Sequence, residues 1–169
     1  MISLRKFLGL GETREEADDA ASRTETIRTI AQELEGMSQD RAKYLAAFAA
    51  LLSRVALSDS EIADEEVSEM ERLVRERGGL PEDQAVLVVQ MAKTHALLLG
   101  GTEKFYVSQE FFSMTERSQR LALIDCLFAV AAAEGGVSVV EENEIRRISH
   151  ELKLEHRDYI SVRSRYRDD

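Results

Sequence analysis

The segment Ala56-Leu57-Ser58-Asp59-Ser60-Glu61-Ile62-Ala63-Asp64-Glu65-Glu66 decides the fold, because a weakened copy follows at an offset of 75 residues (Asp59 to Glu134). The copy reads Ala131-Ala132-Ala133-Glu134-Gly135-Gly136-Val137-Ser138-Val139-Val140-Glu141. The match continues downstream at Glu69 with Glu144, Met70 with Ile145 and Leu73 with Ile148. Each copy has an apolar helix, an acidic elbow and an acidic helix start, so the repeated unit is a helix-elbow-helix. Two such units can bury the apolar stripe that neither could bury alone.

The rest of the chain also has helical periodicity, and strand alternation is nearly absent. Pro81 is the only proline, and the nine glycines mostly form doublets or stand at apparent helix ends. The sequence therefore predicts an all-α, compact bundle of about seven to eight helices with an internal pseudo-repeat. We assign residues 1–21 to an N-terminal arm and polar connector, and residues 22–169 to a single domain.

Caps and glycines set the predicted helix boundaries. A core helix through Tyr44 and Val55 is expected after a first helix that ends at Gly36, with Ser38 as the cap between them. The other predicted elements are a helix at Asp64–Gly78, one from Pro81 to about Leu99, an irregular segment from Thr102 to Met114, a helix at Glu116–Ala133 capped by Thr115, a helix from Ser138 to near Leu152, and a last helix at Glu155–Tyr166.

The aromatic side chains of the segment between Thr102 and Met114 have two interpretations. Phe105, Phe111 and Phe112 most simply fill the gap between the two units, and a ligand pocket lined by these rings is the alternative.

Charge and cysteine content exclude several classes of protein. Thirty-two acidic and 22 basic residues give a net charge of −10, which disfavours nucleic acid as a partner. Cys126 is the only cysteine, so an intrachain disulfide is impossible. A buried, inert thiol is the default interpretation of Cys126, and a reactive thiol is the alternative.

No segment is long enough to cross a membrane. The longest nearly apolar run, from Leu121 to Ala133, is interrupted by Asp125 and is shorter than the roughly 20 residues that a bilayer requires. We therefore expect a cytoplasmic protein without a transmembrane segment. For residues 1–10, self-docking or disorder is favoured, and contact with a partner or a membrane surface is the alternative.

Acidic side chains cluster at both elbows and suggest a cation site. Oxygen ligands suit calcium, magnesium or manganese. The candidate ligands are Asp59, Glu61, Glu66 and Glu69 in the first copy, and Glu134, Glu141 and Glu144 in the second. A purely structural interpretation competes with this one, because acids in the first turn of a helix are stabilising without any metal. Ser138-Val139-Val140-Glu141 is itself a capping box.

Enzymatic activity is not expected. His95, His150 and His156 are the natural general bases, but none lies near a nucleophile motif, and no phosphate-binding glycine loop is present.

The first elbow, Asp59-Ser60-Glu61-Ile62 followed by Asp64-Glu65-Glu66, resembles the acidic elbow of the TerB-like family. Ser60 replaces the usual glycine, and Gly136 stands where the second copy would usually have an acid. The resemblance covers about Ala42 to Arg167.

The resemblance implies a helical domain of stress-response and tellurite-resistance systems, with proposed cation binding through the elbow acids. We expect an adaptor that recruits an unidentified protein partner. The alternative is a divalent-cation-binding or sensing protein, and no cofactor other than such a cation is expected.

Overall fold

A computed structural model of the chain describes residues 25, 28–56, 62–95, 104–133 and 135–167. These residues form eight α-helices and a closing 3-10 turn without any strand, which confirms the all-α prediction. The helices are α1 (residues 28–35), α2 (Gln39–Ala56), α3 (Asp64–Gly78), α4 (Glu82–His95), α5 (Lys104–Met114), α6 (Arg117–Ala132), α7 (Val139–Glu151) and α8 (His156–Arg163), and the 3-10 turn covers Ser164–Tyr166.

Each copy of the repeat packs its second helix on the first helix of the other copy. The first copy consists of α2 and α3, and the second consists of α6 and α7. Helix α3 packs on α6, and α7 packs on α2, while α2 and α6 contact each other. Helices α4 and α5 cover α2, and α8 covers α6. Each copy therefore covers an apolar face of the other.

The central helices α2 and α6 supply much of the core. In α6 every residue from Leu123 to Ala131 is buried, and α2 buries Phe48, Leu51 and Val55 completely or nearly so. The helix predicted at Glu116–Ala133 is therefore present as a core helix. None of the helices in the described part of the chain is long and apolar enough to span a membrane.

Glycine is needed at both Gly78 and Gly79, where α3 ends, for two different reasons. A Cβ atom on Gly78 would lie 2.9 Å from Cζ of Phe48, so this position allows α3 to approach α2 closely. Gly79 has a φ of 72°, which is the left-handed conformation that favours glycine at a helix end. The predicted end of the helix is confirmed.

Two serine caps predicted from the sequence are present, and one threonine cap is wrong. Ser38 accepts a hydrogen bond from the amide of Arg41 at 3.2 Å, and Ser138 accepts one from the amide of Glu141 at 3.1 Å. Helix α6 is instead capped by Glu116, whose amide donates to Gln119. The Thr115 hydroxyl donates backwards to the Phe111 carbonyl at 2.6 Å, because it closes α5 rather than opening α6.

The segment before Thr115 is a regular helix rather than an irregular one. Helix α5 runs from Lys104 to Met114. Its apolar residues are spread around the helix, so the sequence lacks the one-sided stripe that marks an amphipathic helix.

The helix predicted from Pro81 to about Leu99 is present as α4. It begins at Glu82, one residue after Pro81, and residues 96–103 lie outside the described part.

The aromatic residues of α5 that the structure describes act in packing. Phe111 is fully buried, stacks on Tyr44 with ring centroids 5.5 Å apart, and meets the edge of Phe48 at 6.3 Å. Phe112 is half-buried and lies beneath the cationic groups of Arg120 and Lys153. Phe111 therefore fills the core and is closed to a ligand.

Cys126 is fully buried in α6, as the default interpretation predicts. Burial, helped by the negative charge of Asp125, raises the pKa of its thiol to about 12 from 9.0. The neutral thiol is therefore strongly favoured in the folded chain.

We expect the free energy of unfolding to fall as the pH rises from about 9 towards 12. The folded chain holds the Cys126 proton more tightly than the unfolded chain, so its contribution is complete below pH 9 and is lost through the folded pKa. Burial raises the pKa values of Tyr44, Tyr159 and Tyr166 as well, and these phenols act in the same direction.

Urea unfolding at a series of pH values measures this dependence. One group changes the free energy of unfolding by at most about 1.4 kcal/mol per pH unit. Cys126→Ala should reduce the slope between pH 9 and 12. An unchanged slope in this variant would mean that the thiol proton makes no contribution.

Candidate functional site

The first elbow leads into the acidic first turn of α3. Asp64, Glu65 and Glu66 occupy this turn, where the positive end of the helix dipole favours carboxylates. The Asp64 side chain is 96% exposed, and Lys93 of α4 donates to its Oδ1 at 2.8 Å. This hydrogen bond lowers the pKa of Asp64. Glu66 is half-buried and forms no ion pair with a described residue.

One arginine bridges two glutamates along the exposed face of α3. Arg72 donates from Nε to Glu69 at 3.0 Å and from Nη1 to Glu76 at 2.8 Å. All three side chains are nearly half exposed. The hydrogen bond from Arg72 lowers the pKa of Glu69 and raises the pKa of Arg72. We call Glu69, Arg72 and Glu76 the α3 triad.

The second elbow positions its acids differently. Gly135 and Gly136 have φ values of 86° and 103°, so this turn uses two residues in the conformation that favours glycine. Glu141 completes the capping box predicted from the sequence, because its Oε1 accepts a hydrogen bond from the Ser138 amide at 2.9 Å. Its carboxylate therefore stabilises the start of α7.

Helix α7 contains a second pair of glutamates bridged by arginine, and this pair is largely shielded from solvent. Arg54 of α2 donates from Nε to Glu144 and from Nη1 to Glu151, each at 2.7 Å. The Arg54 side chain is only 6% exposed, and Glu144 is 13% exposed. Arg147 also contacts Glu144, at 3.1 Å. We call Arg54, Glu144, Glu151 and Arg147 the α7 cluster.

The Arg54 guanidinium is held in its charged form despite its burial. Burial lowers the pKa of Arg54, but hydrogen bonds to Glu151 and Glu144 outweigh this effect and raise it above its usual value. A single guanidinium thus joins α2 of the first copy to α7 of the second.

The α3 triad and the α7 cluster are two versions of one sequence pattern. Glu69-x-x-Arg72-x-x-x-Glu76 recurs as Glu144-x-x-Arg147-x-x-x-Glu151 at the same offset of 75 residues. In the second copy Arg54 arrives from another helix and buries the pair. In the first copy, no arginine from another helix within the described ranges reaches Glu69 or Glu76.

The structure therefore separates the predicted cation ligands. Glu69 and Glu144 are engaged by arginines, Glu141 caps a helix, and Glu66 remains without an ion pair among the described residues. Asp59, Glu61 and Glu134 lie outside the described part of the chain. Within that part, no three histidine, cysteine or acidic side chains are grouped closely enough to hold a metal ion. Metal binding by the elbow acids stays a prediction.

The sequence-based prediction did not single out the three arginines that bind these acids or the second glutamate of each pair. These residues are Arg54, Arg72, Arg147, Glu76 and Glu151. Glu76 and Glu151 could have been found, because the repeated pattern has the same 75-residue offset as the elbows. Arg54 could not be found in this way, since its equivalent in the second copy is the apolar residue Ala129.

The duplicated helix-elbow-helix, with acids at each elbow, defines the class as a small all-helical domain with an internal repeat. A family model described as tellurite resistance protein TerB matches residues 45–164, which is more than half of the chain. The chain therefore belongs to the TerB family. Comparisons with curated proteins and with solved structures found no match.

We expect Arg54→Met to lower the free energy of unfolding by roughly 2–4 kcal/mol, because Glu144 and Glu151 would remain buried with their charge only partly compensated. Adding Glu144→Gln and Glu151→Gln should restore a large part of the loss, since both uncompensated charges are removed. Urea unfolding followed by circular dichroism measures both effects.

Arg72→Met is the matched control for Arg54→Met. It removes the corresponding bridge from two exposed glutamates, and we expect little change in stability because water and salt screen such pairs. Equal losses in the two variants would show that burial of the α7 cluster is not what makes Arg54 important.

Proposed function

We propose that this TerB-family domain is a non-enzymatic stress-response protein of the tellurite-resistance type that works in the cytoplasm as an interaction module. Its α3 triad docks a basic surface of a partner protein. The observation that carries the proposal is the difference between the two copies of one glutamate pair, since Glu144 and Glu151 receive Arg54 while Glu69 and Glu76 receive no arginine from another helix in the described part.

The internal copy indicates what kind of group suits the α3 triad. Arg54 contacts Glu144 and Glu151 from outside the helix that carries them, through both sides of its planar guanidinium. Glu69 and Glu76 have the same seven-residue separation on α3. An arginine on the partner would therefore find the same pair of acceptors, with Arg72 already between them.

The charge around the triad supports a basic partner. Three further acids, Asp64, Glu65 and Glu66, stand in the first turn of α3, and the whole chain has a net charge of −10. Complementary charges accelerate encounter and favour the correct orientation of the partners. Contact through residues 1–10 with a partner or a membrane remains a further prediction, because those residues lie outside the described part.

Reversing the charge of Glu69 and Glu76 tests this proposal. We expect the double variant Glu69→Lys with Glu76→Lys to lose partner proteins that the wild-type chain captures from its own cell extract at low salt, as measured by quantitative mass spectrometry. The interaction should also weaken as salt is added, because exposed charges are screened.

The matched control is Glu33→Lys with Glu35→Lys, which makes the same change of charge on exposed positions of α1. This control should retain the partners. If both double variants lose the same partners equally, the effect comes from net charge and the α3 triad is not the docking surface.

Divalent-cation binding or sensing is the second candidate function. Glu66 supports it, because this carboxylate lies at the positive start of α3 and forms no ion pair with a described residue. The proposed ligands are Asp59, Glu61, Glu66 and Glu69. Glu69 would have to leave Arg72 in order to bind the ion.

Calorimetric titration with calcium and manganese tests the cation function. We expect saturable binding and a rise in melting temperature, because a ligand that binds only the folded chain stabilises it. Glu66→Gln with Glu69→Gln should abolish both effects, whereas Glu33→Gln with Glu35→Gln should change neither. No heat at millimolar ion, or heat unchanged in the first variant, would exclude this function.

A further inference from the structure

The cleft between α7 and α8 is lined by cationic and polar side chains, although the chain as a whole is acidic. Its volume is ≈ 530 Å³, and its lining includes Arg146, Arg147, His150 and His156. No acidic residue of the described part lines it. The size is suitable for a small ligand.

Ser149 contributes a polar side chain to the lining of this cleft. The residue is only 2% exposed. Its equivalent in the first copy, 75 residues earlier, is Val74, which is fully buried. The second copy therefore has a polar side chain at the cleft where the first copy has an apolar one, and a hydroxyl in this place can hydrogen-bond to a ligand.

Arg146 supplies a cation that is not neutralised by a carboxylate in the described part of the chain. Its Nη2 donates to the amide oxygen of Asn143 at 3.1 Å, which fixes the guanidinium without consuming its charge. The equivalent residue in the first copy is Glu71, so the second copy has the opposite charge at this position. Arg146, Ser149 and His150 are spaced i, i+3 and i+4, and hence share one face of α7.

Tyr159 forms the apolar wall on the side of α8. Its side chain is nearly buried, its hydroxyl donates to the Glu142 carbonyl at 3.4 Å, and its ring lies 6.1 Å from the His156 ring. The cleft thus combines donors for an anion with an aromatic surface beside them.

We propose that the cleft between α7 and α8 binds the phosphate group of a small phosphomonoester. Arg146 and Arg147 contribute charge, and Ser149, His150 and His156 contribute hydrogen bonds. Arginine suits phosphate because its planar array of donors matches the oxygens of this group. The site is separate from the α3 triad and does not depend on the function proposed for it.

Backbone amide NMR of the full chain, titrated with inorganic phosphate and with phosphoserine at constant ionic strength, tests the site. We expect saturable shifts confined to residues 143–159 for both probes. Arg146→Gln should weaken binding at least about tenfold, because it removes one hydrogen bond to a charged group. Ser149→Ala should weaken it several-fold. Arg75→Gln on α3 removes the same charge away from the cleft and should leave binding unchanged.

Three results would overturn the proposal. The first is the absence of saturation by about 10 mM phosphate, and the second is equal weakening by Arg75→Gln and Arg146→Gln, which would mean unspecific attraction. The third is binding to vesicles that contain phosphatidic acid without binding to the free probes, since the same group would then be recognised only on a lipid. Thermal melting confirms that each variant is folded.

Discussion

Each helix-elbow-helix unit packs an apolar stripe against the other unit, and the rest of the structure depends on this contact. Helix α3 buries Met70, Leu73 and Val74 and packs on α6, whereas α7 buries Ile145 and Ile148 and packs on α2. The units are therefore stabilised together, because apolar burial is the main favourable term in folding. Helix α3 thus packs on α6 of the other copy, while α7 packs on both α2 and α6.

The side chain of Arg54 helps to specify that α7 packs on α2. A buried guanidinium that binds two carboxylates contributes less net stability than its short distances suggest, because all three groups lose their hydration. The loss of Arg54 alone is nevertheless costly, since Glu144 and Glu151 cannot regain that hydration without opening the contact between α2 and α7. The cluster therefore favours the arrangement in which α7 lies on α2.

Local signals in the sequence were sufficient for much of the fold. The glycine pair after α3 and the capping box at Ser138 each act within a few residues, and the structure contains both. Helix α5 was predicted as an irregular segment, because its apolar residues are spread around the helix and form no one-sided stripe. The Thr115 cap was wrong because α6 begins one residue later, after Glu116, and the Thr115 hydroxyl donates to the carbonyl four residues earlier in α5.

The candidate site was harder to predict than the fold, because its ion pairs depend on residues from different helices. The sequence singled out Glu144 of α7, but its partner Arg54 lies 90 residues before it. No short pattern contains both residues. The different exposure of Glu69 and Glu144 also depends on residues from other helices. The two glutamates occupy equivalent positions in the repeat and differ only in what packs beside them.

The second helix of the repeat differs between the two copies on two separate faces, and these differences have different physical meanings. The face of α7 that carries Glu144 and Glu151 does serve the fold, because Arg54 holds it against α2. The face that carries Arg146, Ser149 and His150 differs from α3 in charge and polarity, and packing alone does not require those differences. A serine at the position of a buried valine reduces apolar burial and adds a group that can hydrogen-bond. One helix can therefore be structural on one side while its other side is available for binding.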